Sequence, residues 1–455
     1  IQFACLFLAS SCGYYFFIFA FAVAGGALGG PAKVAVFASG LMGMINGTSA
    51  GNVVATGSLT IPLMKKVGYR PQSAAAIEAA ASTGGQIMPP IMGAGAFIMA
   101  EITGIPYTEL VVAALIPAIL YFASVYFMVD FEATRMGMRG MRSDELPVLA
   151  QLVRQVYLFI PIVILIVALF AGYSVIRAGT LATVSAVVVS WLSSHKMGPV
   201  GIVRALELSA RMSIQIIAVC ACAGIIVGVI SLTGVGARFS SLLLGIASGG
   251  ELLGLPIPPS LGLLLAMGFA MVIAIILGMG MPTTAAYAVA AAVVAPGLVR
   301  IGVEPLVAHF FVFYFAVISA ITPPVALAAY AGAAIAGSNP MATSGTAFKV
   351  GLAAFIVPFM FFYSPALLME GTTVKILQVL ATSCVGVYLL AGAVQGWYFG
   401  PISGLWRGLL LMGALAMISG GLITDLVGIL VAAGLWSLQR ASDKRRRAAL
   451  GPQSP

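Results

Sequence analysis

Charge is what this sequence has least of. Asp, Glu, Lys and Arg make up 8% of its 455 residues, against 61% hydrophobic residues and a mean hydropathy of +1.11. Soluble domains carry about 25% charged residues, so a solvated globular fold is excluded and the chain is expected in a bilayer. Strand-length runs that alternate polar and apolar residues are absent, which excludes a membrane barrel. Lipid offers no partners to backbone N–H and C=O groups, and a bundle of helices is the remaining solution. Histidine occurs only as His195 and His309, far apart in the chain. Without a Ser/His, paired-Asp or metal-ligand constellation at bilayer depth, an intramembrane hydrolase has no chemistry to work with, so the chain is not expected to be an enzyme. The five cysteines (Cys5, Cys12, Cys220, Cys222, Cys384) lie inside apolar segments without metal-ligand or redox spacing and are expected to pack only. An initiator Met is also absent; the chain opens inside an apolar stretch, which predicts further chain upstream.

Apolar stretches of membrane-crossing length recur along nearly the whole sequence. The net charge of +9 falls in short clusters between them, which speaks for membrane topology and against nucleic acid. Arg135, Arg139, Arg142 and Arg154 form one cluster, His195, Lys196, Arg204 and Arg211 a second, and Arg440 with Lys444 to Arg447 a third; Lys65, Lys66 and Arg70 complete the set. The positive-inside rule puts all of them, and the C-terminus, in the cytoplasm. Expected crossings lie at about 110–130, 155–171, 174–192 and 212–232.

Proline and glycine punctuation repeats at one offset of 234 residues: Pro62 with Pro296, Gly68 with Gly302, Pro71 with Pro305, Pro89 with Pro323, Pro90 with Pro324 and Pro106 with Pro340. Gly29-Gly30 and Gly249-Gly250 extend the match if the stretch around Pro256, Pro258 and Pro259 is an insertion. Two similar halves with interrupted helices point to a transporter whose site lies at the bilayer midplane. In the first half the polar cluster Asn46 to Asn52 separates two apolar arms. Each arm, about 12 to 14 helical residues, reaches only about 18 to 21 Å, so the pair is expected to be a re-entrant hairpin opening on the Lys65 side. Gly278 to Thr284 is expected to be the tip of its counterpart, with 285 to 299 as the returning arm.

Each hairpin is followed by a helix interrupted at a proline pair, Pro89-Pro90 and Pro323-Pro324. Proline donates no hydrogen bond and disfavours helix at the preceding residue. The carbonyls of Gly85, Gln86, Ser319 and Ala320 are therefore expected to lose their usual partners and to suit a desolvated Na⁺. Following the crossings from a cytoplasmic Lys65, the second hairpin opens outside, so the repeats are expected to be inverted. The expected parts are 1–31, a truncated helix with an interfacial arm; 32–109, the first repeat; 110–211, connecting scaffold helices; 212–370, the second repeat; and 371–455, C-terminal membrane helices with a basic cytoplasmic tail.

Over residues 20 to 370 the sequence resembles the large membrane subunit of tripartite ATP-independent periplasmic (TRAP) transporters, most of all the fused subtype that works with TAXI-type binding proteins. The resemblance is carried by ASGLMGMINGTSAGNVVATGSLTIPLMKKVGYRP (38–71), EAAASTGGQIMPPIMGAGAFIMAEITGIPY (78–107), LGMGMPTTAAY (277–287) and HFFVFYFAVISAITPPVALAAYAG (309–332). It implies an all-α polytopic membrane protein of the bacterial inner membrane, working by an elevator movement with Na⁺ as coupling ion and no organic cofactor. It implies one Na⁺ site on Asn46, Gly47, Thr48, Ser49, Gly85, Met88 and Pro89, and a second on Gly280, Thr283, Thr284, Thr322 and Pro323. The substrate, a small carboxylate, is expected near Asn46, Thr48, Ser49, Gln86, Thr283, Thr284 and Ser319. Its implied partners are a periplasmic solute-binding protein and a small four-helix membrane subunit, separate or fused in front. Many relatives carry Asp where Asn52 stands, so a charged side chain is not available here.

Single ionisable residues have plainer readings beside the functional ones. Glu78 is open between a functional group and a structural ion pair, while Glu101 is placed at the outer interface. His309, near a helix start, reads better as an interfacial or core histidine than as a proton relay. Asp425 reads as a cap or packing residue. A channel or a non-transporting scaffold subunit is the alternative function, to be separated from a carrier by uptake that requires a Na⁺ gradient.

Overall fold

The computed structural model describes residues 2–141, 146–147, 149–193, 196–248, 251–252, 255–256, 258–418 and 421–449. Arg142, His195 and the Gly249-Gly250 pair lie outside the described residues. Among those described, the regular structure is helical apart from the two-residue pairing of Glu251–Leu252 with Leu255–Pro256 and an isolated bridge between Trp397 and Pro401. Among the described residues seven helices are long and apolar enough to cross a membrane, eight if the bent pair Gln2–Ala9 with Cys12–Ala24 forms one span. Large apolar side chains such as Ile176, Leu192 and Leu232 stand exposed on these helices, as they do where the surrounding medium is hydrocarbon. The chain is a membrane-embedded, multi-pass helical protein.

The first hairpin consists of Gly30–Gly43 and Ser49–Lys66. Its second arm starts four residues earlier than the apolar run at Val53 predicts, because the Thr48 hydroxyl accepts from the Gly51 N–H at 3.2 Å and caps a helix that takes in Ser49 to Asn52. At 18 residues, about 27 Å, this arm exceeds the expected length. The second hairpin pairs Pro259–Gly278 with Thr283–Val293, which continues as Ala295–Arg300. Both of its arms count among the helices long enough to cross.

Each hairpin packs on the interrupted helix that follows it. The first interrupted helix has an upstream half, Pro71–Gly85, and a downstream half, Gly95–Thr103; the second has Pro305–Ile318 and Leu327–Ala336. Their entries match in detail. Gly68 and Gly302 adopt positive φ (104° and 94°), and the N–H groups of Tyr69 and Val303 bond the carbonyls of Met64 and Leu298, each at 3.1 Å. At both interruptions the proline pair is cis, and Gly104 and Gly337 close the downstream halves in the left-handed region. Packing between the halves is reciprocal. The Gly95–Thr103 helix lies on Thr283–Val293 and Pro305–Ile318, while Leu327–Ala336 lies on Ser49–Lys66 and Pro71–Gly85.

The Pro199–Thr233 helix departs from expectation. It spans 35 residues, about 52 Å, where a crossing at about 212–232 was predicted. Between Pro199 at its first turn and Gly234, left-handed at its end, no breaker intervenes, and Glu207 pairs with Arg211 one turn on at 2.8 Å. Arg204 and Arg211 thus sit on the helix and not in a loop. At the base of the first hairpin, Lys33 is buried, pairs with Asp130 of the Leu115–Arg135 helix and lies over the Tyr126 ring.

Glycine permits a close approach between the first hairpin and the helix it packs on. A Cβ on Gly85 would stand 2.5 Å from the Cα of Gly43, backbone against backbone. Gly85→Ala is therefore expected to cost about 1–3 kcal/mol and to lower the unfolding temperature of the purified protein. Gly179→Ala, on a helix face with open space, should leave it unchanged or slightly raised.

Candidate functional site

The turn 44–48 of the first hairpin lies directly against the first helix interruption. The Gln86 side-chain amide, completely buried, donates to the carbonyls of Gly43 (2.8 Å) and Asn46 (2.9 Å), and the Gly93 N–H donates to Met44 O at 3.3 Å. The Asn46 side chain donates to Asn52 Oδ1 at 3.0 Å. Asn46, Ser49, Gly85, Gln86 and Pro89 are buried, while Gly47, Thr48 and Met88 are half-buried. The structure thus brings the first predicted set together on one tip and one break.

One part of the expectation is corrected. The Gly85 carbonyl accepts from the Met88 N–H and the Ser319 carbonyl from the Thr322 N–H, both at 3.2 Å. A tight turn over three residues replaces the bond that proline cannot make, so these two carbonyls keep a partner. Side-chain oxygens are also left without a partner: Ser49 Oγ, Thr83 Oγ1 and Gln86 Oε1 are buried and have no hydrogen-bond partner. Three of the eight such atoms among the described residues lie on this one tip and break, which makes them candidates to hold a ligand. Neutral hydroxyl and amide oxygens are hard donors suited to a hard cation such as Na⁺. Among the described residues no group of three or more His, Cys, Asp or Glu could hold a metal, so a soft or multivalent transition metal finds no set of ligands.

At the second tip, Thr283 and Thr284 are buried in the first turn of the Thr283–Val293 helix, and Gly280 has φ 76°. Ser319 and Thr322 donate to the carbonyls of Ala316 (2.7 Å) and Ile318 (2.9 Å), which leaves their oxygen lone pairs as acceptors only for other groups. The Ser319 side chain fills the notch over Gly278, where a Cβ would meet its hydroxyl at 2.7 Å. Pro323 is half-buried beside Thr322.

Behind the first tip lies a polar network that single-residue reasoning missed. Glu78 is fully buried, and of the two readings left open for it the structural ion pair is not what holds it, since no described Lys, Arg or His approaches it within salt-bridge distance. Its carboxyl is ringed instead by hydroxyls of Ser39 (2.6 Å), Thr60 (2.5 Å), Ser82 (3.1 Å) and Thr56. Ser82 also accepts from Asn52 at 2.9 Å, and Asn52 donates to Ser39 O at 2.9 Å. Asn52 thereby links the Glu78 ring to Asn46 and the tip. Its two amide donors are both used, which an Asp could not supply, so the neutral residue fits this chain's network. The signal in the sequence was the spacing of Asn52, Thr56 and Thr60, which places three polar groups on one helix face.

Of the remaining ionisable residues, Glu101 is exposed near the end of its helix. His309 accepts from or donates to Tyr287 Oη at 2.8 Å and borders an apolar cavity of about 480 Å³ beside the Pro199–Thr233 helix. Asp425 sits in the first turn of Leu422–Ala449 and meets Gln378 at 3.4 Å, a packing position.

Glu78→Ala would strand the hydroxyls around it and leave a void; each unsatisfied group costs about 1–3 kcal/mol. Purified Glu78→Ala is expected to unfold several degrees below the parent protein, with Glu78→Gln, which keeps one acceptor oxygen, falling between them.

Over 109 residues the chain is 33% identical to the uncharacterized protein y4mL of Sinorhizobium fredii (strain NBRC 101917 / NGR234), a stretch covering 24% of this chain and 26% of that protein's length. Across residues 2–395 it matches the family described as tripartite ATP-independent periplasmic transporter, DctM component, and the chain belongs to that family.

Proposed function

We propose that the chain is the permease of a secondary transporter in the bacterial inner membrane, coupling Na⁺ entry to the uptake of a small organic anion. The observation that carries this is the set of orphaned oxygens on Ser49, Thr83 and Gln86, where a hairpin tip meets an interrupted helix. Family membership supports delivery of the substrate by a periplasmic binding protein, here of the TAXI type, and a small four-helix membrane subunit as a second partner. Reciprocal packing of the downstream half-helices supports an inverted repeat, because each half completes the other as an approximate two-fold axis requires. In this reading both hairpins are re-entrant and move with both interrupted helices as one elevator unit. The substrate anion meets the second tip, where the start of the Thr283–Val293 helix offers N–H groups.

Sidedness follows from charge. Lys65, Lys66, Arg70 and Arg135 gather where the first hairpin opens, and this face and the C-terminus are cytoplasmic. The second interrupted helix begins at Glu304, whose charge, after burial, helps raise the Glu370 carboxyl above its ordinary range; this acidic end is periplasmic.

Replacing Thr48, Ser49, Thr283 or Thr284 by Leu is expected to reduce Na⁺-gradient-driven uptake at least tenfold while the amount inserted in the membrane stays the same. Undiminished uptake in all four overturns the site. Conductance that dissipates the gradient without need of a binding protein would identify a channel instead. Independently of flux, Na⁺ but not choline should raise the unfolding temperature of the parent protein, and Gln86→Leu should lose that shift.

A further inference from the structure

In a chain with so little charge, four charged side chains converge unpaired on one cavity away from the tips. The cavity, about 360 Å³, opens between the start of the Pro71–Gly85 helix and the Leu115–Arg135, Pro340–Val350 and Thr373–Gln395 helices. Arg70 and Arg135 stand exposed at its rim, Lys349 is half-buried, and Ser73, Glu132 and Gln395 are buried within. The ion pairs among the described residues are Lys33 with Asp130 and Arg211 with Glu207, so none of these four has a counter-ion within 4 Å. Lys349 and Arg135 are held instead by neutral oxygens of Gln395, the side-chain carbonyl at 3.3 Å and the backbone carbonyl at 3.4 Å, and Gln395 is itself tied to Met128 O at 3.1 Å. The Glu132 carboxylate makes no hydrogen bond among the described residues, and the residue is only 7% exposed.

Three cations from three helices surrounding a space of this size call for an anion with oxygens pointing in several directions. A phosphate does this, whereas a single carboxylate presents two oxygens in one plane. Gln72 and Ser73, in the first turn of a 15-residue helix, add a positive dipole end on the same wall. Glu132 sets the second requirement. A buried carboxylate beside an anion repels it unless the ligand also brings a hydrogen-bond donor. We propose that this cavity binds a phosphate ester bearing free hydroxyl groups, with the phosphate among Arg70, Arg135 and Lys349 and a hydroxyl donating to Glu132. Glycerol phosphate has this chemistry, whether as a phosphatidylglycerol headgroup at the membrane surface or as a free ester. An occupant ties the first interrupted helix to the three helices around it. The inference is independent of the transport reading, because it rests on a different cavity and needs no Na⁺.

The test is binding to the purified full-length chain in detergent, followed by thermal shift and by titration of intrinsic fluorescence, with sn-glycerol 3-phosphate, short-chain phosphatidylglycerol and sulfate as probes. Both glycerol phosphates are expected to bind at least tenfold more tightly than sulfate, an anion without a donor. Arg135→Ala and Lys349→Ala should weaken all three probes about tenfold, and Arg135→Lys should restore part of the loss. Glu132→Gln should abolish the preference over sulfate while keeping anion binding. Tighter binding of the lipid than of the soluble ester assigns the headgroup as ligand, and equal binding assigns the free ester. Equal affinity of the parent protein for sulfate and glycerol phosphate, or affinities untouched in Arg135→Ala and Lys349→Ala, overturns the proposal.

Discussion

The structure depends on one constraint, the requirement that every backbone polar group in lipid find a partner inside the protein. Two proline pairs break that rule locally, and the fold answers at both places with the same device. A three-residue turn recovers the Gly85 and Ser319 carbonyls, and a hairpin closes over the interruption. Around the first break the answer is incomplete. Gln86 spends both amide hydrogens on the hairpin's own turn, and its side-chain oxygen, with the hydroxyls of Ser49 and Thr83, has no partner among the described residues.

Rigidity at this site comes from small residues and buried polarity together. Gly43 and Gly85 let two backbones touch, so the tip and the break cannot shift independently. The Glu78 ring then fixes the side chains. In a medium where apolar contacts between helices gain little over contacts with lipid, such close packing and hydrogen bonding must provide the specificity that a hydrophobic core provides in water. Asn52 joins the two systems, and its neutrality matters because two carbonyl or hydroxyl acceptors face its amide.

Much of this was legible in the sequence. The paucity of charge placed the chain in the membrane, and the recurrence of Pro71 and Pro305, Pro89 and Pro323 marked the two interrupted helices, because proline acts on its own backbone whatever its surroundings. The grouping of Asn46 and Ser49 with the first interruption came from the family resemblance and not from local chemistry. The surroundings of Glu78 were not legible. Whether a buried carboxyl is met by a cation or by hydroxyls depends on residues 18 to 39 positions away, and on which helix faces turn together. The same holds for the unbroken Pro199–Thr233 helix, where hydropathy marked only the apolar part and could not register that the basic part continues the same helix.

What the sequence determined by itself is local: helical class, hairpin tips, interruptions and their duplication, all set by the conformational limits of proline and glycine and by the cost of unpaired backbone in lipid. What only the tertiary structure decided is which oxygens remain free. A carbonyl expected to be bare found an N–H three residues on, and the hydroxyls of Ser49 and Thr83 were buried without a partner. Satisfaction of a hydrogen-bonding group is a property of its neighbours in space, and sequence spacing specifies those neighbours only within a helical turn or two.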